Sequence, residues 1–125
     1  PLACAAALET LAIIEDEKLM ANAIAMGEFI HAGLRAALAG SKGVREIRNK
    51  GLMIGIELDM ECNQLVKDAL ADGLLINVTA DNVVRLLPPL NMQRAEAEQL
   101  VKQLGALINR FLANAGAAQA AVKTA

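Results

Sequence analysis

One ten-residue stretch, NVVRLLPPLN from Asn82 to Asn91, constrains the fold more than any other part of the chain. Val83, Val84, Leu86 and Leu87 have the β-branched and aliphatic character of a buried strand, and Pro88 and Pro89 stop it because neither can donate a ladder hydrogen bond. Arg85 stands at its centre. In a regular strand Val83, Arg85 and Leu87 share one face and Val84 and Leu86 the other. Leaving a guanidinium buried and unpaired costs roughly 3–5 kcal/mol, comparable to the whole stability of many small domains. Arg85 therefore needs a carboxylate or a phosphate. Either one of the fourteen acidic residues supplies it, or a ligand does.

The rest of the chain supplies elements around that strand. Residues 2–15 carry apolar side chains on every helical face, a pattern that belongs to a helix surrounded by protein. Glu15, Asp16 and Glu17 interrupt it, with Asp16 placed to cap the next helix. That helix shows a stripe at Leu19, Ala23, Met26, Ile30, Leu34 and Leu38. One kinked helix or two both fit, and AGSKG closes the segment. In VREIRNKGLMIGIELDM, Val44, Glu46 and Arg48 alternate against Arg45 and Ile47, and a nearly continuous apolar run follows from Leu52 to Leu58. Two strands with a turn at Asn49–Gly51 are the expectation. Gly55, inside the second strand, marks a place that something can approach closely.

Residues 61–72 repeat Leu65, Val66, Ala69 and Leu70 at helical spacing and end at Gly73. LLINV and VVRLL are two further short strands joined by the polar turn TADN. Ala97, Leu100, Val101, Leu104, Ile108 and Leu112 define a long amphipathic helix over 93–113, and the alanine-rich tail 114–125 is expected to fray. The order helix, strand, strand, helix, strand, strand, helix predicts an α+β fold. Its sheet is small, three- to four-stranded and mainly antiparallel, with helices over one face. Val84 and Leu86 then suit the helix layer, and Arg85 looks away from it.

Composition removes several classes of function. At 125 residues and 55% hydrophobic content the chain fits one domain with ample core, while a net charge of -2 and 2% aromatics leave neither a basic patch nor a stacking platform for nucleic acid. The opening PLACAAALETLAII has no basic residues before it and is interrupted by Glu9, so it reads neither as a signal peptide nor as a membrane span. Cys4 and Cys62 then indicate a reducing, cytoplasmic setting and buried thiols. A mean hydropathy of +0.38 exceeds what so small a chain needs, which implies that some surface packs on something else. With Pro1 in first place, this fits a piece of a longer polypeptide. It divides into a helix at 1–15 leading from a large domain, a small domain at 16–113 and the tail at 114–125.

Candidate chemistry is sparse. His31 is the only histidine and lies on a helix without a nucleophile at a companion spacing, so a structural or solvated role is expected. Glu57, Asp59 and Glu61 alternate and would share a face if the strand ran through them, imitating an acid/base pair or metal site; a solvated strand edge is the simpler expectation. Arg85 remains. Either it forms an internal salt bridge, or its planar fork clamps a substrate carboxylate, held still by its strand and the stiff PPL that follows. From the residues alone both stand.

Four stretches in fixed order, PLACAAALETL, VREIRNKGLMIGIEL, DGLLINV and NVVRLLPPLNM, resemble the C-terminal small domain of the class III, fold-type I pyridoxal-phosphate aminotransferases. Within that family they are most similar to bacterial enzymes acting on N-acetylornithine. The resemblance covers all but the tail. It implies that Arg85, the arginine before the PPL turn, binds the substrate α-carboxylate, and that the parent transfers an amino group between N-acetylornithine and 2-oxoglutarate as a homodimer. It also implies pyridoxal phosphate as cofactor, with the Schiff-base lysine in the large domain; none of Lys18, Lys42, Lys50, Lys67, Lys102 or Lys123 matches it. Asn49 stands where the family usually has glycine, a departure that concerns turn geometry. The alternative is a non-catalytic α+β module that binds a small carboxylate or mediates assembly. Strong apolar exposure around Leu52, Ile54 and Leu87 would instead mark a lost interdomain surface.

Overall fold

A computed structural model describes residues 1–123, with side chains through residue 116. Helix α1 spans Leu2–Asp16 and α2 spans Leu19–Ala37. Strands β1, Val44–Lys50, and β2, Met53–Leu58, follow, then α3, Gln64–Ala71, the strands β3, Asn77–Thr79, and β4, Val83–Leu86, and finally α4, Arg94–Lys123. Every strand pair is antiparallel, in the order β1-β2-β4-β3. The expected α+β arrangement holds.

The first two helices are separate. Lys18 adopts a left-handed φ of +53° and occupies the N-cap of α2, its carbonyl accepting the amides of Ala21 and Asn22. Asp16 is not the cap, as expected from sequence, but the last residue of α1. The reversal has to fall directly before Leu19, the first stripe residue to reach the core. Helix α1 buries none of its residues, so Cys4 is exposed rather than buried; Cys62 is the buried thiol.

The apolar stripes meet on one side of the sheet. Ile30 and Leu34 of α2, Leu65 of α3, and Leu104, Leu107 and Ile108 of α4 pack against Ile54, Ile56, Leu58, Val84 and Leu86. Each such side chain contributes about 1.5–3 kcal/mol by leaving water. Helix α4 begins with a capping interaction, the Gln93 amide donating to Glu96 Oε2 at 2.7 Å, and the Arg94 guanidinium lies 3.5 Å above the Phe29 ring of α2. The last helix extends into the alanine-rich tail. Alanine's high helix propensity carries α4 on to Lys123, and residues 124–125 lie outside the described residues.

Two details of the sheet differ from the sequence expectation. Strand β1 runs through Asn49 and Lys50, so the turn is the pair Gly51 and Leu52, closed by Lys50 opposite Met53. Gly51 has a φ of +54° and sits so close to α2 that a methyl group on Gly27 would collide with its carbonyl. This docking turns Leu52 and Ile54 inward, to 5% and 0% exposure, and leaves Met53 and Leu87 outward at 58% and 60%. Apolar exposure exists on the open face, but at Met53 and Leu87, not at Leu52 or Ile54. The second difference is a β-bulge. Val44 pairs with Leu58 and Glu46 with Glu57, so Arg45 is an extra residue and the simple alternation of Val44, Glu46 and Arg48 is broken. Among the described residues, no helix is long and apolar enough to cross a membrane.

Candidate functional site

The antiparallel register sets the side chains of the uncovered face in rows. Arg48, Gly55, Arg85 and Asn77 lie opposite one another across four strands, and Glu46, Glu57, Val83 and Thr79 form the next row. Val84 and Leu86, the neighbours of Arg85 in β4, point into the core, which aims Arg85 outward as the alternation of β4 requires. A cleft of about 310 Å³ opens over these rows, lined by Arg48, Lys50, Met53, Gly55, Thr79 and Arg85 among others.

Arg85 is half-buried and without a partner. Its Nε is closed off from solvent and makes no hydrogen bond. None of the ion pairs among the described residues includes it, so the internal salt bridge left open by the sequence is absent. Glu57 on the adjoining strand is already engaged by two other arginines. Its Oε1 accepts from Arg45 at 3.0 Å and its Oε2 from Arg48 at 2.9 Å, while Arg48 also donates to Glu46 at 2.8 Å. The hydrogen bond from Arg48, with that from Arg45 next, holds the Glu57 carboxyl below the usual carboxylate range. Arg85 Nε is therefore left as an unsatisfied donor beside the cleft.

The other sequence candidates lie elsewhere. His31 donates from Nε2 to the Ile47 carbonyl at 3.0 Å, tying α2 to β1 on the helix side. Strand β2 ends at Leu58, so Asp59 and Glu61 do not continue the Glu57 face; the Asp59 amide donates to Gly43 and Glu61 is exposed. Among the described residues no group of three His, Cys, Asp or Glu is placed to hold a metal ion. Arg48, Lys50 and Thr79 line the cleft without having been expected there. Their signal was the two-residue spacing of Arg48 and Lys50 on one strand, which has meaning only once the register is known.

The structure is an α+β domain whose antiparallel sheet has one face covered by helices and the other presenting an arginine with no ion-pair partner among the described residues. Residues 1–108 match the family described as Aminotransferase class-III, and the chain belongs to it. It is similar to acetylornithine aminotransferase 1 of Bordetella pertussis, with 53% identity over 90% of the chain and 29% of that protein. The acetylornithine aminotransferase of Nitrosomonas europaea is 54% identical over 90% of the chain and 28% of its own length. Among solved structures, ornithine delta-aminotransferase of Plasmodium falciparum superposes with a TM-score of 0.84 at 32% identity, over 91% of the chain and 30% of that chain. The chain thus spans less than a third of the length of the curated relatives it matches.

Enzymes of this family use pyridoxal phosphate. The chain's two aromatic side chains, Phe29 and Phe111, pack with the helix layer, so no ring is available in the cleft to stack on a pyridine. The cationic side chains that line the cleft, Arg48, Lys50 and Arg85, are of a kind that suits an anion.

Proposed function

We propose that this chain is the carboxylate-holding part of an aminotransferase that moves an amino group between N-acetylornithine, or a related ornithine derivative, and 2-oxoglutarate in arginine metabolism. The observation that carries this reading is Arg85, with a buried and unpartnered Nε on the uncovered sheet face. The ornithine-derivative substrate is supported by two acetylornithine aminotransferases at 53% and 54% identity. Pyridoxal phosphate and its Schiff-base lysine belong to a large domain beyond this chain, which packs on the apolar surface of α1 and over the open sheet face. The parent enzyme is a cytoplasmic homodimer.

Arg85 acts by orientation. A guanidinium held by a strand and aimed at one point binds a carboxylate through two parallel hydrogen bonds, which fixes the direction of the adjacent Cα. Turning a loose encounter into a positioned one is worth several kcal/mol in favourable cases. The grip holds 2-oxoglutarate by the carboxylate next to its reacting carbon, and N-acetylornithine, whose α-amine is acetylated and whose free amine is on C5, by a carboxylate remote from its reacting carbon. In the complete enzyme Arg85→Ala should lower kcat/KM for both substrates by about 10²-fold or more. Cofactor content should not change. Kinetics like those of the unaltered enzyme would assign Arg85 to structure and refute the proposal.

A further inference from the structure

Gly55 lies in the middle of β2, an inner strand, between Arg48 of β1 and Arg85 of β4 in a single cross-sheet row. Glycine weakens such a position, because it loses the most chain entropy on folding and brings no side chain to the cross-strand pair. Other glycines of this chain have a local reason. Gly51 and Gly73 adopt left-handed φ values of +54° and +75°, and Gly27 lies against the backbone of Gly51. Gly55 has neither. Its φ is outside the left-handed region, and a Cβ there would lie 3.6 Å from Val83 Cγ1 and 3.7 Å from Arg48 Cγ and Nε, which is ordinary van der Waals contact. What a side chain at 55 would fill is the cleft beside Arg85.

We propose that Gly55 is a specificity-determining residue: the substrate carboxylate seats over it, in the gap between Arg48 and Arg85, and any side chain at position 55 takes that place. The inference rests on the carboxylate-clamp reading of Arg85. Arg48 forms a wall of the gap and is held by Glu46 and Glu57, so of the two arginines that flank Gly55 in its row it is Arg85 that is free to grip the ligand. The two methyl groups of a valine match the two oxygens of a carboxylate in breadth, so size at position 55 and occupancy of the site exclude each other.

The test uses Gly55→Ala and Gly55→Val in the complete aminotransferase, with Arg85→Ala alongside, reading thermal midpoint, cofactor content and steady-state kinetics. The strand should gain from a Cβ, so the midpoints should equal or exceed that of the unaltered enzyme, and cofactor content should stay the same. KM for the amino donor and for the oxo acid should rise about threefold for alanine and about thirtyfold for valine, with kcat affected less. Lowered midpoints with unchanged KM would make Gly55 a packing residue and overturn the proposal. If Gly55→Val leaves KM unchanged while Arg85→Ala impairs both substrates, the clamp stands and the seat over Gly55 is wrong. If neither position affects the kinetics, the clamp reading fails and the proposal with it. Gly55→Ala keeps the test valid should valine prevent folding, because its Cβ meets only ordinary contacts.

Discussion

Replacing Arg85 by methionine should stabilise this domain while disabling it. Methionine keeps an unbranched stem of similar reach and removes all the guanidinium donors, including the Nε that is closed off from solvent with no partner. An unsatisfied buried donor costs about 1–3 kcal/mol. Arg85 is only half-buried and the rest of its fork can reach water in the cleft, so the lower end applies, a gain of about 1 kcal/mol. In a domain of this size that corresponds to a rise in Tm of about 3–6 °C. Urea denaturation followed by circular dichroism measures it directly. The midpoint should move up with no change in slope, since the surface exposed on unfolding is nearly the same. The variant would then join the many substitutions that gain stability by removing a strained functional group. A loss of about 1 kcal/mol or more would refute the reasoning, because it would mean that Arg85 has a stabilising partner inside the chain.

Gly27→Ala tests the docking of the first hairpin. Alanine improves helix propensity by about 1 kcal/mol, but its methyl group meets the Gly51 backbone, with Cα at 3.0 Å and the carbonyl closer still. Overpacking against main chain should win, for a net loss of about 2 kcal/mol in urea denaturation, and a stabilised variant would show that the hairpin is free to move away. Glu57→Gln tests the charge network. The folded state holds the Glu57 carboxyl below its ordinary range, chiefly through Arg48, so its contribution is present above the unfolded carboxylate pKa and is lost as pH falls through the folded value. The stability difference between Glu57→Gln and the unaltered protein should therefore be largest near neutrality and vanish in acid. A difference that persists at low pH would assign the effect to packing.

The helices were legible because their signal is local. Leu19 to Leu38 and Ala97 to Leu112 repeat at three and four residues, and no distant contact is needed to interpret that spacing. Arg85 was legible for a related reason, as a charge inside an apolar strand whose alternation alone decides its face. Register was not. Asn49, Lys50 and Gly51 all have turn chemistry, and the choice of Gly51–Leu52 depends on how closely Gly51 approaches Gly27, a contact between residues far apart in sequence. A one-residue difference in the turn exchanges the two faces of β2, which is why Met53 rather than Leu52 and Ile54 faces the cleft.

The bulge at Arg45 links that hidden geometry to the site. In an unbroken β1, Arg45 would alternate away from Glu46 and Arg48 and face the helices. As the extra residue between Val44 and Glu46 it comes instead to the uncovered face and donates to Glu57 Oε1. Arg48 takes the other oxygen. With one guanidinium on each oxygen, Glu57 has little left to offer a third, although it lies on the strand next to Arg85 and in the adjacent row. Had Arg45 faced inward, Glu57 would carry one arginine, and Arg85 would be its nearest further donor by register. An irregularity invisible in composition or periodicity thus keeps Glu57 occupied and leaves Arg85 without an ion-pair partner among the described residues, as the proposed carboxylate clamp requires.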